Sequence, residues 1–290
     1  MTKTVPPETV MSNILITGIS SYIGKSFAEY LRAHTAHTVD GISLRDGAWR
    51  DRSFACYDTV FHTVGLTHVR ETPQNAAAYF EINRDLTLEV ARKAKADGVR
   101  QFIYMSSMSV YGLDEGVITP ATRPAPISNY GRSKLEAEMG LRRLEDEHFK
   151  VCILRPPMVY GKGCKGNYHT MVSLIGKTPV FPQTHNSRSV LCIENLCAFL
   201  TLVVDRELDG LYFPQNRERV CTSDMALWIA EGMGKKLLIS RAAGAFTNLL
   251  LPLSKTARKA FCSLSYEETE TMDYCYCVAS SRDSIIRSVR

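Results

Sequence analysis

Tyr130 and Lys134 stand four apart in "SNYGRSKLEAE" (128–138), and no other of the thirteen tyrosines has lysine four positions later. Residues at that spacing share one face of a helix, so the two side chains can serve one pocket. A phenol with a pKa near 10 is a poor acid or base at neutral pH. A neighbouring ammonium favours the phenolate and brings that pKa toward the working range. The pair therefore suits proton transfer to or from an alcohol or ketone oxygen. Such an oxygen also needs a hydroxyl donor. "MSSMSVYG" (105–112) supplies Ser106, Ser107 and Ser109 at the end of an apolar run that reads as a strand.

A second chemistry-bearing stretch, "TGISSYIG" (17–24), leaves the apolar run "NILITG" and opens a segment of helical periodicity, "SFAEYLRAH". A helix start offers free backbone N–H groups and the positive end of its dipole to a pyrophosphate. Gly18 permits the tight turn and Gly24 lets the helix pack close to the sheet, and Tyr22 and Ile23 of the same turn are candidate cofactor contacts. Ser21 stands where a third glycine is usual, and its hydroxyl can donate to a phosphate oxygen. The next strand, in "HTVDGISLRDG", normally ends in an acid that accepts from ribose hydroxyls. Here Asp40 falls inside the strand, and the strand end offers Ser43 and Arg45. A hydroxyl and a guanidinium there suit a 2′-phosphate, although Arg45 reads equally well as a solvated loop residue.

These residues need a frame. "NILITG", "HTVDGIS", "YDTVFHTVG", "RQFIYMSS" and "KVCILRP" read as strands. Between them run helical segments, including "AAYFEINRDLTLEVARKAKADG", stopped by Gly98, and "NYGRSKLEAEMGLRRLEDE". Strands alternating with helices predict an α/β fold, a parallel sheet with helices on both faces. Ligands bind such sheets at the carboxyl ends of the strands, where the serines and the glycine turn fall. Beyond Pro156 the rhythm loosens, "RSVLCIENLCAFLTLVV" reads as a strand entering a helix, and the last fifty residues resist assignment. The plan expected is a dinucleotide-binding domain over 11–165, with 188–215 returning to it, and a smaller lobe over 166–187 and 216–290.

Composition narrows the classes. A net charge of +5 over 290 residues reads as mild and spread out, which suits an anionic substrate and argues against nucleic acid. The nine cysteines contain no C-x-x-C pair and read as free, mostly buried thiols, with no metal site expected. Cys275 and Cys277 alternate in "DYCYCVA", which reads as a strand. "MTKTVPPETV" (1–10) lacks the apolar core of a signal peptide and reads as a frayed lead-in. "LLLPL" (249–253) is far too short to span a bilayer. A cytoplasmic protein without membrane insertion is expected.

In the order "TGISSYIG", "FHTVG", "EINRDLT", "FIYMSSMSVYG", "YGRSK", "ILRPPMVYGKG", the chain from about residue 12 to 235 resembles the extended short-chain dehydrogenases/reductases. Within them it is similar to the NAD-dependent epimerase/dehydratase family, and to UDP-glucose 4-epimerase-like enzymes of bacterial surface-polysaccharide pathways. The resemblance implies a Rossmann-type doubly wound sheet with a C-terminal substrate-binding lobe, NAD or NADP as cofactor, and a nucleotide-sugar substrate. It makes Tyr130 the acid/base, Lys134 its electrostatic partner and ribose contact, and Ser107 the hydroxyl donor, with Ser106 and Ser109 as neighbouring alternatives. Asn83 and Gly65 match positions beside the cofactor. Asn167 and Arg188 match the groups that hold the sugar nucleotide's pyrophosphate, a task that suits a planar guanidinium. Lys162 and Lys165 read as solvated loop charges. No match is found after residue 240 for a second phosphate arginine, and Arg258 is a guess.

The resemblance also implies a homodimer built on helices 75–97 and 127–148. A dehydratase is disfavoured, because Met108 and Ser109 follow the serine where that chemistry places Asp and Glu. A catalysis-free dinucleotide sensor is disfavoured by the complete Ser107, Tyr130 and Lys134 set. The expected function is a nucleotide-sugar 4-epimerase. The alternative is an NAD(P)H-dependent reductase of a 4-keto nucleotide-activated or lipid-linked sugar.

Overall fold

Short apolar runs become strands buried on both faces, and the computed structural model describes this for residues 11–67, 69–253 and 255–290. The lead-in over 1–10 lies outside the described residues. In chain order the elements begin β1 (Asn13–Thr17), α1 (Tyr22–His34), β2 (Thr38–Ile42), β3 (Thr59–His62), α2 (Ala76–Phe80), α3 (Leu86–Ala96) and β4 (Gln101–Met105). There follow β5 (Gly116–Ile118), α4 (Asn129–Arg142), β6 (Lys150–Leu154), β7 (Met158–Tyr160), α5 (Asn167–Lys177), β8 (Val180–Pro182), β9 (Val190–Cys192) and α6 (Ile193–Asp205). The chain ends with β10 (Gly210–Tyr212), α7 (Thr222–Gly232), β11 (Leu238–Ser240), α8 (Arg241–Leu250), α9 (Lys255–Phe261), β12 (Leu264–Tyr266) and α10 (Ser281–Ser288).

Six strands form one parallel sheet in the order β10-β6-β4-β3-β1-β2. Successive residues point to opposite faces and meet different helices. Ile14 and Ile16 of β1 pack with Phe27 and Leu31 of α1 and with Leu196 and Phe199 of α6. Leu15 faces the other way, toward the core that holds Val90 and Ala94 of α3 and Ala137 and Leu141 of α4. The sheet is doubly wound, as the alternation of strands and helices predicts. Three two-stranded parallel pairs complete the fold: β7 with β9, β8 with β11, and β5 with β12.

Several expectations change on inspection. The helix read as continuous over 75–97 is broken by a π-helical turn, Glu81–Asp85, between α2 and α3. α4 stops at Arg142, because Asp146 Oδ1 accepts from the backbone N–H of His148 and of Phe149, both at 2.9 Å, and turns the chain into β6. "DYCYCVA" is not a strand. Its backbone closes on itself through Tyr276 N–H to Tyr274 O and Val278 N–H to Tyr276 O, which removes ladder donors. Tyr276 is nevertheless buried, its hydroxyl donating to Gln215 O at 2.7 Å. The unassigned last fifty residues hold α8, α9, β12, a 3-10 turn at Glu270–Asp273 and α10. Five cysteines are buried, while Cys56 and Cys275 are exposed.

Candidate active site

The glycine turn leaves β1 at the carboxyl edge of the sheet. Gly18 takes φ +82°, and a Cβ on Gly24 would come within 2.5 Å of Gly18 O, so side chains are excluded where α1 meets the turn. Ser21 caps α1: its Oγ accepts from Gly24 N–H at 3.0 Å and shares a hydrogen with Thr63 Oγ1 at 2.7 Å. That hydroxyl is thus committed to the helix and to the loop after β3, not directed at a phosphate. Among the described residues the N–H groups of Tyr22 and Ile23 have no protein acceptor. They remain as anion donors at the helix start. The Tyr22 side chain itself turns away, packing beside Gly161 with its hydroxyl buried and unpartnered, and burial pushes that phenol far up.

In the middle of β2, Asp40 accepts from Tyr57 Oη at 2.7 Å and faces Arg52 at 3.5 Å. Ser43 Oγ accepts from Arg45 N–H at 3.3 Å. The Arg45 side chain is exposed and makes no ion pair among the described residues.

Three devices seat the start of α4. Ser128 Oγ accepts from Gly131 N–H at 3.0 Å, and the Glu71 carboxylate accepts from Asn129 and Tyr130 N–H, each at 3.1 Å. Gly131 lets the helix touch the turn that follows β4, since a Cβ there would be 2.5 Å from Ser109 O. Tyr130, partly buried, thereby reaches Ser107. Burial raises the Tyr130 pKa, and the hydroxyls of Ser107 and Thr67 oppose that rise.

Lys134 lies deeper, 4% exposed, donating to Met105 O at 2.8 Å with its ammonium 4.6 Å from the Tyr104 ring centroid. Burial lowers its pKa to about 7, against the pull of Glu138. The ammonium is engaged by a backbone carbonyl, and the hydroxyls of Ser107 and Thr67 favour the phenolate. Gly65 completes this pocket, where a Cβ would stand 3.1 Å from Asn83 Oδ1 and 3.2 Å from Lys134 Nζ. Asn83, in the π-helical turn and fully buried, accepts from Leu66 N–H at 2.7 Å and donates to Ser133 Oγ at 3.0 Å. It braces the loop after β3 as well as α4.

The three serines separate cleanly. Ser106 is buried and donates to Glu138, on the core side. Ser109 is exposed. Ser107 caps the 3-10 turn Met108–Tyr111, accepting from Ser109 N–H at 3.1 Å, and is the serine beside Tyr130.

Three residues near this site were not singled out in the sequence: His62, Glu138 and Arg155. His62 is sealed at the end of β3 between Thr17 Oγ1 (2.8 Å) and Thr87 Oγ1 (3.0 Å), and burial, then Lys134, lowers its pKa to about 3. Glu138 could have been found by its place one turn beyond Lys134 on a buried face. His62 and Arg155 give no comparable signal.

The residues matched to pyrophosphate binding are not joined in one cluster. Asn167 is the first residue of α5 and exposed. Arg188 is half-buried, its Nη1 donating to Cys262 O at 2.5 Å, and burial lowers its pKa. Arg258 also bears on Cys262; its Nε is buried without a partner and its Nη2 lies 3.7 Å from Glu115. Lys162 and Lys165 are exposed. No group of three His, Cys, Asp or Glu side chains among the described residues is arranged to hold a metal ion. No described helix is long and apolar enough to cross a membrane.

Comparison with known proteins gives this geometry its setting. The chain is 28% identical to a UDP-glucose 4-epimerase of Vibrio cholerae over 252 residues, 77% of this chain and 76% of that one. It is 26% identical to the N-acetyl-alpha-D-glucosaminyl-diphospho-ditrans,octacis-undecaprenol 4-epimerase of Escherichia coli O157:H7, over 65% of this chain and 62% of that one. The fold matches UDP-glucuronic acid 4-epimerase from Bacillus cereus, solved with NAD, at a TM-score of 0.74 and 16% identity, covering 96% of this chain and 97% of that one. It also matches dTDP-4-dehydrorhamnose reductase from Bacillus anthracis str. Ames, solved with NADP, at 0.75 and 19%, covering 95% and 98%. Residues 14–206 match the model of the NAD dependent epimerase/dehydratase family, and the chain belongs to that family.

Proposed function

We propose that the protein is a nucleotide-sugar 4-epimerase of the UDP-glucose 4-epimerase type, using NAD or NADP. The observation that carries this reading is the meeting of Tyr130 with Ser107 at the carboxyl edge of the sheet, above a buried Lys134. The kinship with a UDP-glucose 4-epimerase over most of both chains supports it.

The residues present fit a dinucleotide. The turn from Gly18 to Gly24 leaves room for a pyrophosphate against the N–H groups of Tyr22 and Ile23. Gly65, where a side chain would crowd Asn83 and Lys134, leaves a cradle for a ribose. A nicotinamide dinucleotide held there would supply a reversible hydride acceptor for the sugar C4. The protein's own part is to handle the proton and hold the sugar. Tyr130 takes the proton of the 4-hydroxyl, and Ser107 donates a hydrogen bond to the same oxygen as it becomes a ketone. Lys134 holds the ribose hydroxyls from below. Tyr130 returns the proton after the 4-keto sugar has presented its other face. Arg188 and Asn167 grip the pyrophosphate, so that the sugar alone turns.

On this reading 11–165 with 188–215 hold the cofactor, and 166–187 with 216–290 hold the sugar nucleotide. The enzyme works in the cytoplasm as a homodimer across the helical stretches 75–97 and 127–148, where Arg84, Leu88, Glu136 and Met139 line an exposed pocket.

The second reading, reduction of a 4-keto nucleotide-activated or lipid-linked sugar, is favoured by one feature: Ser43 and an exposed Arg45 at the end of β2 suit NADP. The fate of the hydride separates the two. Purified protein incubated with UDP-glucose or UDP-N-acetylglucosamine should yield the C4 epimer with no net change in nicotinamide absorbance. No epimer, together with stoichiometric NADPH consumption on a 4-keto sugar nucleotide, would overturn the epimerase.

A further inference from the structure

α8 carries its apolar residues outward. Ala242, Ala245, Phe246 and Leu249 recur at helical spacing and are exposed, Phe246 at 62% and Leu249 at 69%. Gly244 forms the inward side, so close to β8 and its flank that a Cβ would sit 2.5 Å from Gln183 O. Leu253, in the 3-10 turn Leu251–Leu253 that follows, is 81% exposed. Leu253 and Leu249 are the most exposed large apolar side chains among the described residues. The β8–β11 pair against which α8 packs adds Val180 and Leu238, register partners that are also exposed. A helix apolar on its solvent side normally has something to cover it.

The charge around it is one-sided. From Gly232 to Tyr266 the chain carries Lys235, Lys236, Arg241, Lys255, Arg258 and Lys259 and no aspartate or glutamate. Six positive charges in that stretch exceed the +5 of the whole chain, so the charge is not spread out as a first reading of composition suggests. Lys235 is tied to Ile175 O and Gly176 O, whereas Lys236, Arg241 and Lys259 are exposed.

We propose that the outward face of α8, with Leu253 and the cations that flank it, docks the protein on an anionic phospholipid bilayer. Apolar side chains suit the acyl boundary and lysine and arginine suit the headgroups, the pattern of a helix that lies in the interface plane. Ten residues make α8 far too short to span, which keeps this a surface contact. A second copy of the chain would instead bring like charges together. The proposal rests on the surface alone and is independent of which reaction the site runs.

The test is sedimentation of the full chain with phosphatidylglycerol/phosphatidylcholine vesicles and with pure phosphatidylcholine vesicles, at low and high salt. Wild type should partition at least about tenfold more strongly onto the anionic vesicles, and less so at high salt. A Phe246→Ser, Leu249→Ser double variant should lose about tenfold in binding, and Arg241→Gln with Lys259→Gln should flatten the salt dependence. Both variants should keep the wild-type melting temperature. Absence of vesicle binding, equal binding by wild type and the double variant, or equal affinity for neutral vesicles would overturn the proposal. So would lipid-free oligomers that the double variant abolishes, which would assign the face to a second copy.

Discussion

Glu138 and Arg155 form a buried ion pair between α4 and the end of β6, with Arg155 Nε 3.0 Å from Glu138 Oε1 and the side chains 2% and 7% exposed. Ser106 donates to the same carboxylate, Arg155 Nη1 donates to Tyr111 Oη at 2.8 Å, and Tyr266 Oη donates to Arg155 O at 2.7 Å. One carboxylate thus serves Arg155, the serine next to Ser107, and, one turn back on α4, Lys134. The carboxylate ties the ends of β4 and β6 together, and Tyr266 on the Arg155 carbonyl joins β12 to them. Breaking a buried pair from one side leaves an uncompensated charge, at a cost of about 3–5 kcal/mol. Glu138→Gln keeps the shape and should lose stability of that order in denaturant unfolding. A loss below about 1 kcal/mol would mean that the glutamine carbonyl and the Tyr111 hydroxyl satisfy Arg155 without the anion.

Tyr130→Phe removes one hydroxyl and little packing. If Tyr130 is the acid/base, turnover should fall by about 10²–10⁴ while cofactor affinity and unfolding midpoint stay near wild type. Lys134→Ala should instead weaken cofactor binding as well, because its ammonium borders the Gly65 cradle. Wild-type turnover in the Tyr130→Phe variant would remove the phenol from the mechanism.

The central sheet was legible because buried parallel strands are continuous apolar runs punctuated by glycine and helix starts. "NILIT" and "QFIYM" need no partner to be recognised. Tyr130 and Lys134 were legible because helical spacing alone puts them on one face. What decides between Ser106 and Ser107 was not: a single residue shift turns the hydroxyl from Tyr130 at the start of α4 to Glu138 two turns further along it, and Glu138 meets Arg155 only through the tertiary fold. His62 is hidden for the same reason, as its partners Thr17 and Thr87 come from β1 and α3. β5 and β12 are three residues each and pair across about half of the chain, so neither carries a period that a local reading can detect. Tyr276 shows the limit of alternation as a signal. Its burial and the exposure of Cys275 follow a period of two without any ladder.

Lys134 predicts a rise of stability with pH. Its pKa in the fold is about 7 against an ordinary 10.5, so between those values the unfolded chain holds a proton that the folded protein has lost. Stability then increases as pH rises through that window, by at most about 1.4 kcal/mol per pH unit for one group. Cofactor-free wild type compared with Lys134→Met from pH 7 to 9.5 isolates the effect. The two curves should converge as pH rises, with the methionine variant the more stable near pH 7. Parallel curves would show that Lys134 keeps its proton in the fold.

His62 acts on the acid side. Its pKa is about 3 in the fold against 6.5 in an open chain, so the unfolded state takes up a proton first as pH falls. Stability should be flat above about pH 6.5 and decline toward pH 3. His62→Gln can keep one contact to Thr17 or Thr87 and does not titrate. It should be less stable near neutrality yet show a shallower acid decline, read from melting temperatures between pH 4 and 7.

Arg45 bears on the choice between NAD and NADP. An NAD site needs an acceptor for the adenosine ribose hydroxyls at the end of β2, and the one acid in that strand, Asp40, already accepts from Tyr57 and faces Arg52. Beyond Ile42 the chain presents Ser43 and then Arg45, exposed and without an ion pair among the described residues. A guanidinium gains far more from a 2′-phosphate than from a hydroxyl, since the bond is charge-assisted and two-pronged. Calorimetric titration of cofactor-free protein should therefore find NADP binding at least as well as NAD. Arg45→Ala should cost NADP about tenfold or more and leave NAD nearly unchanged. A strong preference for NAD that survives the substitution would make Arg45 a bystander, and it would remove the feature that favours the reductase.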